Sequence, residues 1–189
     1  MKKTLIIVAV VILLVVVLPI MIFAGTYNSL VSLDEEVNSN WAQVENQLKR
    51  RSDLIPNLVE TVKGFANQEQ EVLTKVTEAR SKVMVANSPQ ELANANANLS
   101  TALQGLNVVV ERYPELKSDK NFIQLQDELA GTENRIAVAR MDYNESVQGL
   151  NNKIRKFPTN IIASMFNIEK REYFEVSEED QENPEVKFD

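Results

Sequence analysis

The chain has 189 residues, 44% of them hydrophobic and 25% charged, with a formal net charge of −7 and neither Cys nor His. Without His there is no Ser-His-Asp or Cys-His nucleophilic relay, and without Cys there is no thiolate chemistry, disulfide or Cys-type zinc site. The acidic balance argues against general nucleic-acid binding, which needs a basic face to neutralise phosphates.

The first element is an uncharged run from Leu5 to Ala24, LIIVAVVILLVVVLPIMIFA. At about 1.5 Å per residue its helix spans about 30 Å, the thickness of a bilayer's hydrocarbon core. Leu5, Ile12, Val16 and Ala24 mark its length, and Pro19 is tolerated because transmembrane helices accommodate proline. A cleaved signal peptide is the competing reading, but its apolar region is shorter and ends in small residues, whereas here Ile22-Phe23-Ala24 closes the run. Residues 1–25 are therefore read as an uncleaved anchor in the lipid bilayer. Lys2 and Lys3 precede the span, and no Lys or Arg follows it before Lys49, while Asp34, Glu35 and Glu36 do. The positive-inside rule then keeps the N-terminus cytoplasmic and sends the following domain across a cell membrane that the chain crosses once. That domain is read as residues 26–174, followed by an acidic flexible tail at 175–189, where Glu178-Glu179-Asp180 and Pro184 cannot bury enough surface to fold alone.

From Tyr27 onward the apolar residues recur at intervals of three and four. The first series runs Leu30, Leu33, Val37, Trp41, Val44, Leu48, Ile55, Leu58, Val62, Phe65, Val72, Val76, Ala79, Val83. It predicts one long amphipathic helix, with Glu45–Lys49, Glu71–Lys75 and Glu78–Lys82 pairs on the wet face. Pro56 deletes a backbone hydrogen bond inside it. Because the stripe keeps its phase across that residue, a kinked, nearly continuous helix fits better than a hairpin. Ser88-Pro89-Gln90-Glu91 then combines an N-cap, a first-turn Pro and a capping-box Glu. It opens a second helix through Leu92, Leu99, Leu106 and Val110 that ends at Pro114, with a small polar patch at Ala93–Asn98. Ser118 is the expected cap of a third, carrying Phe122, Leu125, Leu129, Ile136, Tyr143, Val147, Leu150, Ile154 and Phe157. Thr159 is the expected cap of a short fourth with Ile161, Ile162, Met165 and Phe166. No alternating pattern of strand length occurs. The fold class is all-α: a transmembrane helix followed by an antiparallel bundle of about four helices, the first long and kinked.

Certain runs are distinctive. Tyr27-Asn28-Ser29-Leu30-Val31, Trp41, Arg50-Arg51, Asp53-Leu54-Ile55-Pro56-Asn57-Leu58-Val59, Ala79-Arg80, Arg140-Met141-Asp142-Tyr143-Asn144, Phe157-Pro158 and Tyr173-Phe174-Glu175 together resemble the LemA family of bacterial membrane proteins across essentially the whole chain. Phe166-Asn167-Ile168 departs from that family's tendency towards Phe-Gly-Phe, a difference confined to a local turn. The resemblance implies an N-terminal transmembrane helix with a helical-bundle domain and no established enzymatic activity. Some relatives are associated with organising or shaping membranes.

Each distinctive side chain has a structural reading that outweighs a catalytic one. Trp41 lies on the apolar stripe as a core anchor. Arg50, Arg51 and Asp53 are placed to pair with acids of the third helix near Pro56. Tyr27-Asn28 and Tyr143-Asn144 are read as bundle-locking pairs that pack on each other. The di-iron helical pattern needs Glu-x-x-His and cannot be met, and Glu69 and Glu71 sit on different helix faces. No cofactor, metal or catalytic residue is expected. Ile161–Phe166 is a bundle cap or, alternatively, an interfacial or subunit contact. These readings converge on a non-enzymatic, membrane-anchored helical scaffold that self-assembles at the membrane surface as a homo-oligomer. The alternative is a membrane-tethered adaptor or sensor recruiting an unidentified protein; a third is an enzyme built on a carboxylate or Arg site.

Overall fold

In a computed structural model of the chain, residues 2–175 are described, with side chains from Ile12 onward. Six helices follow one another: α1 (Lys2–Phe65), α2 (Gln70–Val85), α3 (Pro89–Val110), α4 (Pro114–Lys117), α5 (Lys120–Arg155) and α6 (Thr159–Met165). No strand occurs among the described residues. The fold is all-α, with the apolar N-terminal part of α1 long enough to cross a membrane. The predicted acidic tail, beyond residue 175, lies outside the described residues.

The long first stripe divides at a place the periodicity hides. α1 continues through Pro56 and ends at Phe65. The chain turns at 66–69, where the Ala66 N–H reaches the Val62 carbonyl at 2.8 Å and the Glu69 N–H reaches that of Ala66 at 3.1 Å. On either side of this turn the core residues are Ala66 and Leu73, not the expected Phe65 and Val72, of which Phe65 is exposed. α4 accounts for the sixth helix: α3 ends at Val110, ahead of Pro114, which instead occupies the first turn of α4.

Two caps also differ from the sequence reading. Asp119, not Ser118, caps α5, its Oδ1 accepting the Phe122 N–H at 2.9 Å. The Ser118 hydroxyl donates instead to the Pro114 carbonyl at 3.0 Å. Thr159 is buried and makes no cap bond, Pro158 being the residue at that end of α6, after a cis Phe157–Pro158 peptide. Ser88 does cap α3, accepting the Glu91 N–H at 3.2 Å, while the Glu91 carboxylate reaches back to the Asn87 N–H at 2.9 Å. Asn167 has φ 53°, a left-handed conformation that Asn tolerates better than any residue but Gly.

The chain divides into two compact units. One comprises α1 up to Ser39 with Glu145–Arg171; the other comprises Asn40–Asn144 with the start of the C-terminal segment. Burial in α1 repeats every seventh residue at Leu30, Val37, Val44, Arg51 and Leu58, all nearly inaccessible. α5 repeats it at Phe122, Leu129, Ile136, Tyr143 and Leu150. An interval of seven keeps one face of a helix on its neighbours. Arg51 is the charged member of the α1 series, and it organises the second unit.

Candidate functional site

Arg51 is 5% exposed, and a guanidinium so placed must be paired. Its Nη1 donates to Asn96 Oδ1 of α3 at 2.6 Å and sits 2.7 Å from Glu133 Oε2 of α5. One side chain thus ties three helices. Burial lowers the Arg51 pKa, Glu133 opposes that, and an arginine remains cationic under either influence. Asp53 and Arg50, expected to share in this pairing, are exposed. The partner on α3 comes from the Ala-Asn patch, which composition alone presents as featureless.

Five residues after Arg51, Pro56 frees a carbonyl that finds a partner too. Pro56 lacks the N–H that would bond to the Ser52 carbonyl one turn earlier. Ser52 is fully buried, so that oxygen cannot turn to water without a penalty. Arg80 Nε of α2 donates to it at 2.8 Å. The Arg-Arg-x-Asp-Leu-Ile-Pro run and the Ala-Arg pair are therefore two halves of one contact. The Arg80→Ala variant is expected to lose about 1–3 kcal/mol by orphaning that carbonyl. In a Pro56→Ala background the restored helical N–H should shrink the loss. Urea unfolding of the four-variant cycle measures the coupling, and an equal loss in both backgrounds would remove Pro56 from the explanation.

At the other end of the second unit an aromatic cluster closes on the C-terminal segment. The Trp41 and Tyr143 rings lie 5.1 Å apart, and Phe174, 1% exposed, stands 6.3 Å from Trp41 with the Arg140 guanidinium 4.9 Å from its own centroid. Asn144 clasps the Phe174 backbone from both sides: its Oδ1 accepts the N–H at 2.8 Å and its Nδ2 donates to the carbonyl at 3.2 Å. The Tyr143 hydroxyl donates to the Glu172 carbonyl at 2.8 Å. A side-chain amide here supplies the donor and acceptor that a neighbouring strand would.

The first unit repeats the device. Asn151 accepts the Arg171 N–H and donates to its carbonyl, both at 2.9 Å, and the Arg171 guanidinium reaches Asp34 Oδ1 at 2.8 Å. Tyr27 lies in this unit with its ring 4.4 Å from Phe166, and Asn28 is exposed. The two Tyr–Asn pairs therefore have separate partners: Phe166 for Tyr27, and Trp41, Glu172 and Phe174 for Tyr143-Asn144. Asn151 was not singled out by sequence; its seven-residue spacing from Asn144 is the signal that points to it.

Chemically, these groups bond to backbone and to each other. Glu69, considered as a metal ligand from sequence, accepts from Arg112 Nη2 at 3.0 Å and from the Tyr113 hydroxyl at 3.1 Å, fastening the α1–α2 turn beside the start of α4. Desolvation, and then that bond, raise the Tyr113 pKa. Two open depressions of about 370 and 310 Å³ occur in the second unit, one beside Gln43, Val138 and Asp142, the other beside Arg51, Gln104 and Glu133. No group of three metal-binding side chains occurs among the described residues.

The family model described as "LemA family" matches residues 40–188, most of the chain. The chain belongs to the LemA family. The matched region takes in the Arg51 node, the Pro56–Arg80 contact and the Asn144 clasp. Among curated proteins, a Protein LemA from Metamycoplasma hominis is 28% identical over 83% of this chain and 72% of its own length. The magnetosome protein MamQ 2 of Paramagnetospirillum magneticum is 25% identical over 84% of this chain and 70% of its own. A magnetosome protein MamQ of Magnetospirillum gryphiswaldense is 24% identical over 78% and 64%. With its apolar N-terminal helix, this LemA-family chain is a membrane-associated helical protein.

Proposed function

We propose that the chain is a non-enzymatic scaffold, anchored once in a cell membrane by Leu5–Ala24, whose helical domain self-assembles at the membrane surface. The observation that carries this reading is how the polar side chains are used. Arg51, Arg80, Asn144, Asn151 and Glu69 each hold helices or backbone in place, while large apolar side chains stay exposed on helix faces, Val108 on α3 and Val138 and Met141 on α5 among them. Anchoring confines copies to a surface, which raises their effective concentration and lets weak lateral contacts act. Val138 and Met141, three apart, share one face of α5 and offer such a contact. The names of the magnetosome relatives refer to a cellular structure rather than a reaction, which agrees with an organising role. Lys2 and Lys3 ahead of the span and Asp34, Glu35 and Glu36 behind it orient the domain to the extracytoplasmic side.

The absence of native Cys allows one variant to test both parts. A Val138→Cys chain in native membranes should react with an impermeant maleimide added to intact cells, or to spheroplasts where an outer membrane exists. A bifunctional maleimide should link it into multimers that survive gentle solubilisation. Labelling only after lysis would reverse the orientation, and a monomer at every surface density would overturn self-assembly.

A further inference from the structure

We propose that α6 and the residues flanking it form a foot that lies in the headgroup–acyl boundary of the same membrane that α1 crosses. The inference goes beyond self-assembly and rests only on Leu5–Ala24 being the membrane span. Phe23 is the penultimate residue of that span, and the Phe166 ring, directly after α6, lies 6.0 Å from it and 4.4 Å from that of Tyr27. Phe166 is therefore level with the edge of the hydrocarbon, the depth at which aromatic side chains gather.

The exposed face of α6 has the matching chemistry. Ile162 and Ala163 are buried, which turns Ile161 and Met165, four apart, outward at 51% and 63% exposure. Phe157, two residues ahead of α6, is exposed at 79%. In α5 the sevenfold burial series from Phe122 reaches Leu150, and its next member is Phe157, which lies beyond the end of the helix and is exposed. Cations flank the patch in sequence: Arg155, Lys156 and Lys170 are exposed and Lys153 is half-buried, with Glu169 the one acid between 153 and 170. In a chain of net charge −7 this is a local reversal of sign. Apolar side chains between lysines and arginines are the composition of an interfacial segment, the former entering the acyl boundary and the latter meeting anionic headgroups. A second copy is a poorer occupant. Two exposed apolar side chains on a helix of two turns, with Phe157 ahead of it, fall well short of the roughly 800 Å² per partner that a stable protein interface buries.

The test uses the full chain, made single-Cys at Ile161, Met165 or Glu35, labelled with an environment-sensitive fluorophore and reconstituted in vesicles of phosphatidylcholine and phosphatidylglycerol. Glu35 is the in-unit control: it is exposed and lies about 16 Å beyond Ala24 along α1. The labels at 161 and 165 should shift to the blue and lose most of their intensity to lipids carrying a nitroxide high on the acyl chain, and the label at 35 should do neither. Trp41 emission checks that each variant is folded. Equal, water-like behaviour at all three sites in vesicles that float with the protein would overturn the foot. A blue shift that follows the protein-to-lipid ratio without nitroxide quenching would overturn it in favour of a second copy. A chain that fails to float with the vesicles would overturn the anchor and the foot together.

Discussion

Replacing Arg51 by alanine is expected to destabilise the domain by about 3 kcal/mol, because it opens a cavity and leaves the buried Asn96 amide without its donor. The Glu133 side chain is half exposed although its Oε2, which faces the guanidinium, is buried, so once the guanidinium is gone a rotation brings that oxygen to water. Glu133→Gln should therefore cost under about 1 kcal/mol, as expected for a partner that keeps its solvent. The informative variant is the double one. Arg51→Met with Asn96→Leu replaces both buried polar groups by apolar side chains of similar length, and such replacements are often neutral or stabilising. Thermal melts of the detergent-solubilised full chain should show a large loss for Arg51→Ala and near-recovery for the pair. Equal losses in both would mean that the bulk of Arg51 matters and its charge does not. If the pair recovers stability yet yields variable assembly in cross-linking, the polar node serves register, the best-attested use of a polar residue on an otherwise apolar seam.

The register question also separates what the sequence made legible from what it hid. Hydrophobic period identifies helices because burial is read off composition, and so the span, the α1 series and the α5 series were visible residue by residue. A reversal with the right length leaves the period intact. The turn at 66–69 contains neither Gly nor Pro, and the apolar spacing from Val62 to Val76 is as good for two helices as for one. Pro56, the conspicuous breaker, breaks nothing because Arg80, a residue 28 positions away from Ser52, takes the orphaned carbonyl. The same limit applies to Asn96. An Ala-Asn repeat reads as low complexity, and only the approach of α1 picks one amide out of three as the arginine's acceptor. Contacts between distant residues are fixed by packing, which a one-dimensional pattern does not contain. Where family resemblance marked residues without giving a reason, at Tyr143-Asn144 and Tyr173-Phe174-Glu175, the geometry supplies one: the first pair holds the backbone of the second segment.

That hold leads to the other large expected effect. Phe174 buries its ring against Trp41 and Arg140, and a fully buried Phe→Ala change costs about 3–5 kcal/mol when the site cannot collapse. Here the loss has a ceiling. Residues 172–175 are joined to the second unit by the Phe174 ring, the Asn144 clasp, the Tyr143 hydroxyl and the Glu175 carbonyl bonded to Gln90 at 2.7 Å. Once those contacts are too weak to hold the segment, it detaches and further substitutions within it become neutral. Phe174→Ala and a chain ending at residue 171, which keeps the Asn151 and Asp34 contacts of Arg171, should therefore show similar stability, both below the parent, while Phe174→Leu falls between. Asn144→Ala should approach the same limit by a different route, since it strands the Phe174 N–H and carbonyl with the ring intact. Trp41 is the single tryptophan, so its fluorescence reads the event directly. Detachment uncovers one side of the indole, and emission should shift to the red in Phe174→Ala and in the truncation, with a smaller shift in Asn144→Ala. Unchanged emission alongside a lowered melting temperature would mean that the segment stays docked without its ring. The clasp would then be the stronger half of the lock, and Asn144, not Phe174, the residue that holds the C-terminal segment on the bundle.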